Sequence, residues 1–248
     1  MTMLSVANLY KSFSGLTAVK DVSFDVKQGE ILGLVGPNGS GKSTTFSLIA
    51  GLHRPDAGRV TLEGRDITGL APHHVCRAGV GRTFQIPKPF TDLTLVENVT
   101  LAAYASQNGE IDRSEAERRG IEALTLVGLP TDRHITTDGM GAAALKKLEL
   151  AKAISTDPKV LLADESLGGL DTDEMRQAAD LLRMLRDEKG LAIVWVEHVL
   201  GVLMSVIDRI VVLDHGEIIF EGAPIDETRD PRVVEIYLGP GAENLRRA

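Results

Sequence analysis

Apolar positions fall into short continuous runs toward both ends of the chain and into a helical rhythm between them. Val6–Tyr10, Ala18–Val26 and Ile31–Val35 predict three strands, separated by polar or glycine-containing turns such as Gln28-Gly29. Ile31-Leu-Gly-Leu-Val35 carries no polar side chain, the pattern of a buried parallel strand. It runs into Gly36-Pro37-Asn38-Gly39-Ser40-Gly41. Phe46, Ile49 and Ala50 then share one helical face, and Gly51 supplies a stop. A strand pair is expected over Gly58–Asp66. From residue 91 to about 155 the period turns helical. Leu95, Val99 and Ala102–Ala103 keep helical spacing, Ser114–Leu126 reads as a second helix, and Leu145–Ile154 as a third that Asp157-Pro158 closes. Strands and helices then alternate over Val160–Ala163, Asp173–Lys189, Leu191–Val196, Val199–Ser205 and Ile210–Leu213. Such alternation implies a parallel sheet with helices on its faces. Asp230-Pro231 opens a last helix, and Gly239-Pro240-Gly241 breaks it. The expected organisation is one α/β domain over residues 1–238, with an N-terminal antiparallel β layer, a helical insert at 91–155 and a frayed tail at 239–248.

Composition narrows the class without changing this picture. Of 248 residues, 43% are apolar and 25% charged, the balance of a soluble globular domain. Cys76 is the single cysteine, which excludes a disulfide scaffold and fits a reducing compartment. The net charge of −8 argues against a dedicated nucleic-acid binder, which needs a basic face. No run approaches the roughly 18 apolar residues of a membrane span. The start, Met1-Thr-Met-Leu-Ser-Val, lacks the basic and long apolar regions of a signal peptide. A soluble cytoplasmic protein is expected, meeting a membrane only through a partner.

The chemistry begins at Gly36-Pro37-Asn38-Gly39-Ser40-Gly41-Lys42-Ser43, which matches the G-x-x-x-x-G-K-[S/T] phosphate loop. Glycines let the backbone wrap tightly and aim its N–H groups inward. The following helix points its positive dipole end at the same spot. Lys42 reaches β- and γ-phosphates as a point charge, Ser43 offers a hydroxyl to Mg²⁺, and Thr44 adds a phosphate contact. Further on, Val160-Leu-Leu-Ala163 is an apolar strand ending in Asp164-Glu165. At a strand's carboxyl end such acids face the ligand crevice of an open α/β sheet. Asp164 suits water-mediated Mg²⁺ binding, and Glu165 suits polarising the water that attacks a γ-phosphate.

Glu165-Ser-Leu-Gly-Gly-Leu-Asp171 resembles the segment that follows the catalytic glutamate in ABC transporter ATPases, and nearly the whole chain is similar to that family. The resemblance implies the ABC ATPase fold, a RecA-like P-loop NTPase core with an antiparallel β layer and an inserted α-helical subdomain. It implies that Gln85, in Arg82-Thr-Phe-Gln85, joins core to insert and approaches Mg²⁺. It also implies that His198 senses the γ-phosphate and that Phe13 stacks on adenine. Taken singly, Phe13 suits a core, His198 suits solvent and Gln85 says little; their order around the two stronger motifs carries the case. ATP and Mg²⁺ are the expected cofactors, with Ser43, Gln85 and Asp164 as the metal contacts. Within the family, the closest resemblance is to ATP-binding subunits of branched-chain amino acid uptake systems. It rests on Gly81-Arg-Thr-Phe-Gln-Ile86, Leu93-Thr-Leu-Val-Glu-Asn-Val99, Val196-Glu-His198, Asp208-Arg-Ile-Val-Val-Leu213 and Val234-Glu-Ile-Tyr-Leu-Gly239. An exporter ATPase for lipid-like cargo and a non-transport ABC protein are the competing readings.

One segment departs from the family. Where relatives carry Leu-Ser-Gly-Gly-Gln, whose helix N-terminus contacts ATP held by the opposite subunit, this chain has Met140-Gly-Ala-Ala-Ala-Leu145. Gly141 lacks the serine hydroxyl, Ala143 adds a methyl group, and Ala144 replaces the glutamine. A lost hydrogen bond to a charged group is worth ~1.5–3 kcal/mol. The expected partners are a second ABC ATPase subunit with an intact signature, in a heterodimer rather than a homodimer, and transmembrane permease subunits on the inner face of the cell membrane. Ile86-Pro-Lys-Pro-Phe90 and Leu93–Val99 are the expected permease contact, with Phe90 and Leu95 as candidate apolar anchors, although for Leu95 and Val99 packing within the helical insert is the better reading. No nucleic acid is expected.

Overall fold

The computed structural model describes residues 1–107, 110–164, 172–197 and 200–224. Glu165, His198, the segment 166–171, the helix expected after Asp230 and the tail 239–248 lie outside the described residues.

Two sheets organise the described residues. The first is antiparallel, in the order β2 (Leu16–Lys27), β1 (Thr2–Phe13), β4 (Ala57–Leu62), β5 (Arg65–Asp66). The second has the order β10 (Glu217–Gly222), β9 (Arg209–Asp214), β3 (Ile31–Val35), β8 (Ala192–Val196), β7 (Val160–Asp164), β6 (Val80–Arg82). Its strands are parallel except for β10, which pairs antiparallel with β9. The fully apolar strands are explained by cores on both faces. Ile31, Leu161, Ile193, Trp195, Ile210 and Val212 face one core, together with the helices. Their sequence neighbours Leu32, Leu162, Val194, Val196, Val211 and Leu213 face the other, against the antiparallel sheet and α1 (Lys42–Ile49). Side chains alternate across a strand, so a strand between two cores needs apolar residues at every position.

The helical layer comprises α3 (Leu95–Ser106), α4 (Arg113–Leu126) and α5 (Ala142–Ser155), with α6 (Thr172–Lys189) and the short α7 (Leu200–Met204) in the following alternation. Two of the starts have a local cause in their caps. Thr94 accepts from the Glu97 N–H, and the Glu97 carboxylate accepts from the Thr94 N–H, a reciprocal capping box. Asp112 caps α4 by accepting the Glu115 N–H at 2.8 Å.

Three elements depart from the expectation. α2 (Pro72–Ala78) forms where none was expected, with proline in its first turn and Gly79 closing it in the left-handed region at φ 114°. Three-residue β6 exists through its pairing with Val160–Leu162, and β10 through its pairing with β9. β1 and β2 also outrun the apolar segments, because ladder hydrogen bonds continue past the buried residues. No helix among the described residues is long and apolar enough to cross a membrane.

Candidate active site

β3 ends at Val35, and the chain turns at once through 36–41 into α1. The turn admits no side chain at two positions. Gly36 has φ 146°, and a Cβ there would strike the Leu213 carbonyl oxygen on β9. Gly41 has φ 107°, and its Cβ would lie 2.5 Å from the Ala18 carbonyl oxygen on β2. Both conformations favour glycine. The loop is thus clamped between the two sheets. Gly39, at φ 82°, faces open space, and Asn38 beside it is exposed. Pro37 and Thr44 are half-buried, and Ser43 is exposed at the start of α1.

The electrostatics of this turn favour an anion. Lys42 is 6% exposed, and its ammonium donates to the Gly36 and Pro37 carbonyl oxygens at 2.8 and 2.9 Å. No acidic residue stands in the first turn of α1 to offset its dipole. Ser40 is buried, and its Oγ has no hydrogen-bond partner among the described residues. A buried hydroxyl without a partner is costly, and a phosphate oxygen is a fitting acceptor. Among the described residues no group of three His, Cys, Asp or Glu side chains forms a metal cage. Mg²⁺ held largely through substrate phosphates and water needs no such cage.

Asp164 closes β7 at the same carboxyl edge of the sheet, opposite Val196 of β8. It is 4% exposed. Its backbone N–H donates to Thr83 Oγ1 at 3.0 Å, and its carboxylate accepts from Arg82 Nη2 at 3.0 Å. Arg82 also reaches Ser47 Oγ on α1, at 3.4 Å. Arg82 and Thr83 are functional candidates that sequence reasoning passed over; the available signal was a lone cation within the apolar stretch Val80–Phe84. Gln85 follows as an exposed residue on the segment leaving β6.

Phe13 ends β1 and is 38% exposed. Its ring meets His53 at 5.2 Å and 72°, and Lys11 Nζ lies 5.3 Å from its centroid. Lys11 is held by Asp56 at 2.7 Å, and that bond, with the Ser12 N–H, keeps the Asp56 carboxyl below the usual carboxylate range. Phe13 therefore sits on a braced surface at the end of β1. The loop, Lys42 and Asp164 share the carboxyl edge of the six-stranded sheet, whereas Phe13 belongs to the antiparallel one.

A family model described as ABC transporter matches residues 19–168. The chain belongs to the ABC transporter family. A probable branched-chain amino acid transport ATP-binding protein LivG from Archaeoglobus fulgidus is 34% identical over 96% of each chain. The high-affinity LivG protein of Salmonella typhimurium is 31% identical over 96% of this chain and 98% of its own. A lipopolysaccharide export ATP-binding protein LptB from Acidithiobacillus ferridurans is 32% identical over 96% and 97%. Among solved structures, an ABC transporter cassette in its ADP conformation superposes with a TM-score of 0.85 at 29% identity, covering 96% of this chain and 99% of that one. A dimeric bacterial ABC transporter cassette reaches 0.81 at 27% identity, over 90% and 99%.

In this ABC cassette α5 begins at Ala142 with Gly141 as its N-cap, and no side chain caps it. A Cβ at Gly141 would meet nothing within 4 Å. Met140, Ala143 and Ala144 are half-buried and pack against the helical-side core. The connection from β6 to α3 is fastened to the helical layer. Buried Asn98 accepts the Phe90 N–H at 2.8 Å and donates to the Phe90 and Thr94 carbonyls, each at 3.0 Å. Glu149 of α5, 4% exposed, accepts the Lys88 N–H at 3.2 Å, and Lys152 donates to the Lys88 carbonyl at 2.7 Å. Ile86 and Phe90 remain exposed on this connection, while Leu95 is fully buried and belongs to the core. Leu95 and Val99 thus pack within the helical insert, the better of the two readings of their spacing, and Leu95 faces inward as the first residue of a capped helix.

Proposed function

We propose that this ABC cassette binds ATP together with Mg²⁺ and hydrolyses it to power a permease for branched-chain or similar hydrophobic amino acids. The observation that carries the reading is the loop at 36–41, folded around the Lys42 ammonium and the unpartnered Ser40 hydroxyl at the same sheet edge as Asp164. Gly36, Pro37, Asn38, Gly39, Ser40 and Gly41 wrap the phosphates with main-chain N–H groups. Lys42 and Thr44 contact phosphate oxygens, and Phe13 offers its ring to adenine. Ser43, Gln85 and Asp164 would hold Mg²⁺, directly or through water, and the ion would neutralise charge building on the phosphates. Glu165 polarises the water that attacks the γ-phosphorus, so that the bond to the ADP oxygen breaks, and His198 senses the γ-phosphate.

The cassette pairs with a second ATPase subunit and, through Ile86–Phe90 and the adjoining helical layer, with a permease at the inner face of the membrane. We favour a heterodimer. The chain's own loop residues are complete, whereas Gly141, Ala143 and Ala144 leave the surface offered to a partner's ATP without its hydroxyl and amide donors. The backbone N–H groups and dipole of α5 still attract phosphate, but more weakly.

The amino acid cargo follows the LivG relatives, and a second reading, export of lipid-like cargo, follows the LptB relative. Co-purification from a membrane extract separates them. Capture of permeases, with ATP hydrolysis stimulated by leucine and its binding protein, supports uptake. Stimulation by lipid and not by amino acid overturns it.

A further inference from the structure

We propose that Arg82 is a positioning residue that orients the Asp164 carboxylate for the metal; the inference rests on the nucleotide reading above. Three observations support it. First, the guanidinium bonds one Asp164 oxygen at 3.0 Å while reaching Ser47 Oγ at 3.4 Å, so it ties the end of β7 to the helix that leaves the phosphate loop. Second, the pair is buried, with side-chain exposures of 11% for Arg82 and 6% for Asp164. Burying such a pair costs about as much as its attraction returns, so stability alone gives no reason for its presence. Third, Arg82 also lines a cavity of about 220 Å³ between the core and the helical layer, shared with Leu52, Phe84, Glu149 and Lys152. Its ring neighbour Phe84 lies 5.2 Å away, and its buried Nε has no partner among the described residues. One side chain therefore touches both the acidic end of β7 and the space between the layers.

The geometry requires arginine. A planar fork presents separate donors to a carboxylate and to a hydroxyl at once, whereas a lysine ammonium is a single point charge on a flexible stem. Groups that orient a metal's ligands from behind typically change metal affinity 10- to 100-fold when altered.

The full chain with Arg82→Lys and with Arg82→Met tests this. ATP affinity is measured with a fluorescent analogue in EDTA. Mn²⁺ is then titrated into the protein–ATP complex, with protein in excess, and bound Mn²⁺ is read by electron paramagnetic resonance. We expect the Mn²⁺ midpoint to rise roughly tenfold in both variants while ATP affinity in EDTA stays within about twofold. An unchanged midpoint overturns the proposal. So does an equal loss of metal-free ATP affinity, the mark of a merely structural role. If Arg82→Met does not fold, Arg82→Lys, which keeps the charge and most of the volume, decides alone. Failure of the wild-type chain to bind ATP at all overturns the nucleotide reading, and this inference with it.

Discussion

Lys42 Nζ donates to the Gly36 carbonyl oxygen at 2.8 Å, so the ammonium points back into the loop that precedes its own helix. The carbonyls of the loop thus hold the ammonium beside the turn, where a phosphate oxygen would gain a charge-assisted hydrogen bond. Lys42→Ala is expected to weaken MgATP binding by about 1.5–3 kcal/mol, or roughly one to two decades, as judged by calorimetric titration. Binding within about twofold of wild type would contradict this role.

Gly36→Ala places a methyl group against the Leu213 carbonyl in a conformation that disfavours side chains. The loop must then withdraw from β9. Strain of this kind costs of order 1–3 kcal/mol, and chemical denaturation is expected to show a loss of at least that size. Gly39→Ala is the control: its φ of 82° is also positive, but nothing lies within 4 Å, so the steric part of the penalty is absent. Equal losses in the two variants would contradict the clamp described between loop and sheets.

Asn98 holds the segment before α3 through four bonds to main-chain atoms of Phe90, Leu93 and Thr94. Asn98→Ala leaves those groups to find other partners and is expected to lower stability by about 2 kcal/mol. Amide hydrogen exchange should accelerate at Phe90 and stay unchanged in β3. Uniform acceleration would instead indicate global destabilisation.

Gly141→Ser combined with Ala143→Gly restores two signature positions. The structure accepts the serine, since a Cβ at Gly141 meets nothing within 4 Å, and serine is a good helix N-cap. In the isolated chain the double variant is expected to raise ATP turnover roughly tenfold, equivalent to about 1.4 kcal/mol in the transition state. Unchanged turnover would show that the native signature is not impaired.

How much of this was legible in the sequence depended on the range of the cause. The phosphate loop was readable because its glycines answer to local backbone geometry, and Asp164 because it ends an apolar strand. Strand boundaries such as Thr2–Phe13 were not readable, since ladder pairing extends beyond burial. The short β6 was invisible because it depends on a partner strand far along the chain, and β10 because its own residues are only half-buried and owe their pairing to β9. Arg82 looked like a flanking residue. Its significance lies in a contact 82 positions along the chain, which no local pattern encodes. Leu95 and Val99 were readable as core of the insert from their helical spacing, and both are fully buried.

The central claim is that the Glu165 carboxylate drives water onto a nucleotide held by the 36–41 loop. Single-turnover hydrolysis of MgATP by Glu165→Gln tests it most directly, because the substitution keeps size and hydrogen bonding while removing the charge. The account predicts retained ATP binding, trapped uncleaved nucleotide and hydrolysis slowed by roughly 10²-fold or more. Cleavage at the wild-type rate would contradict it.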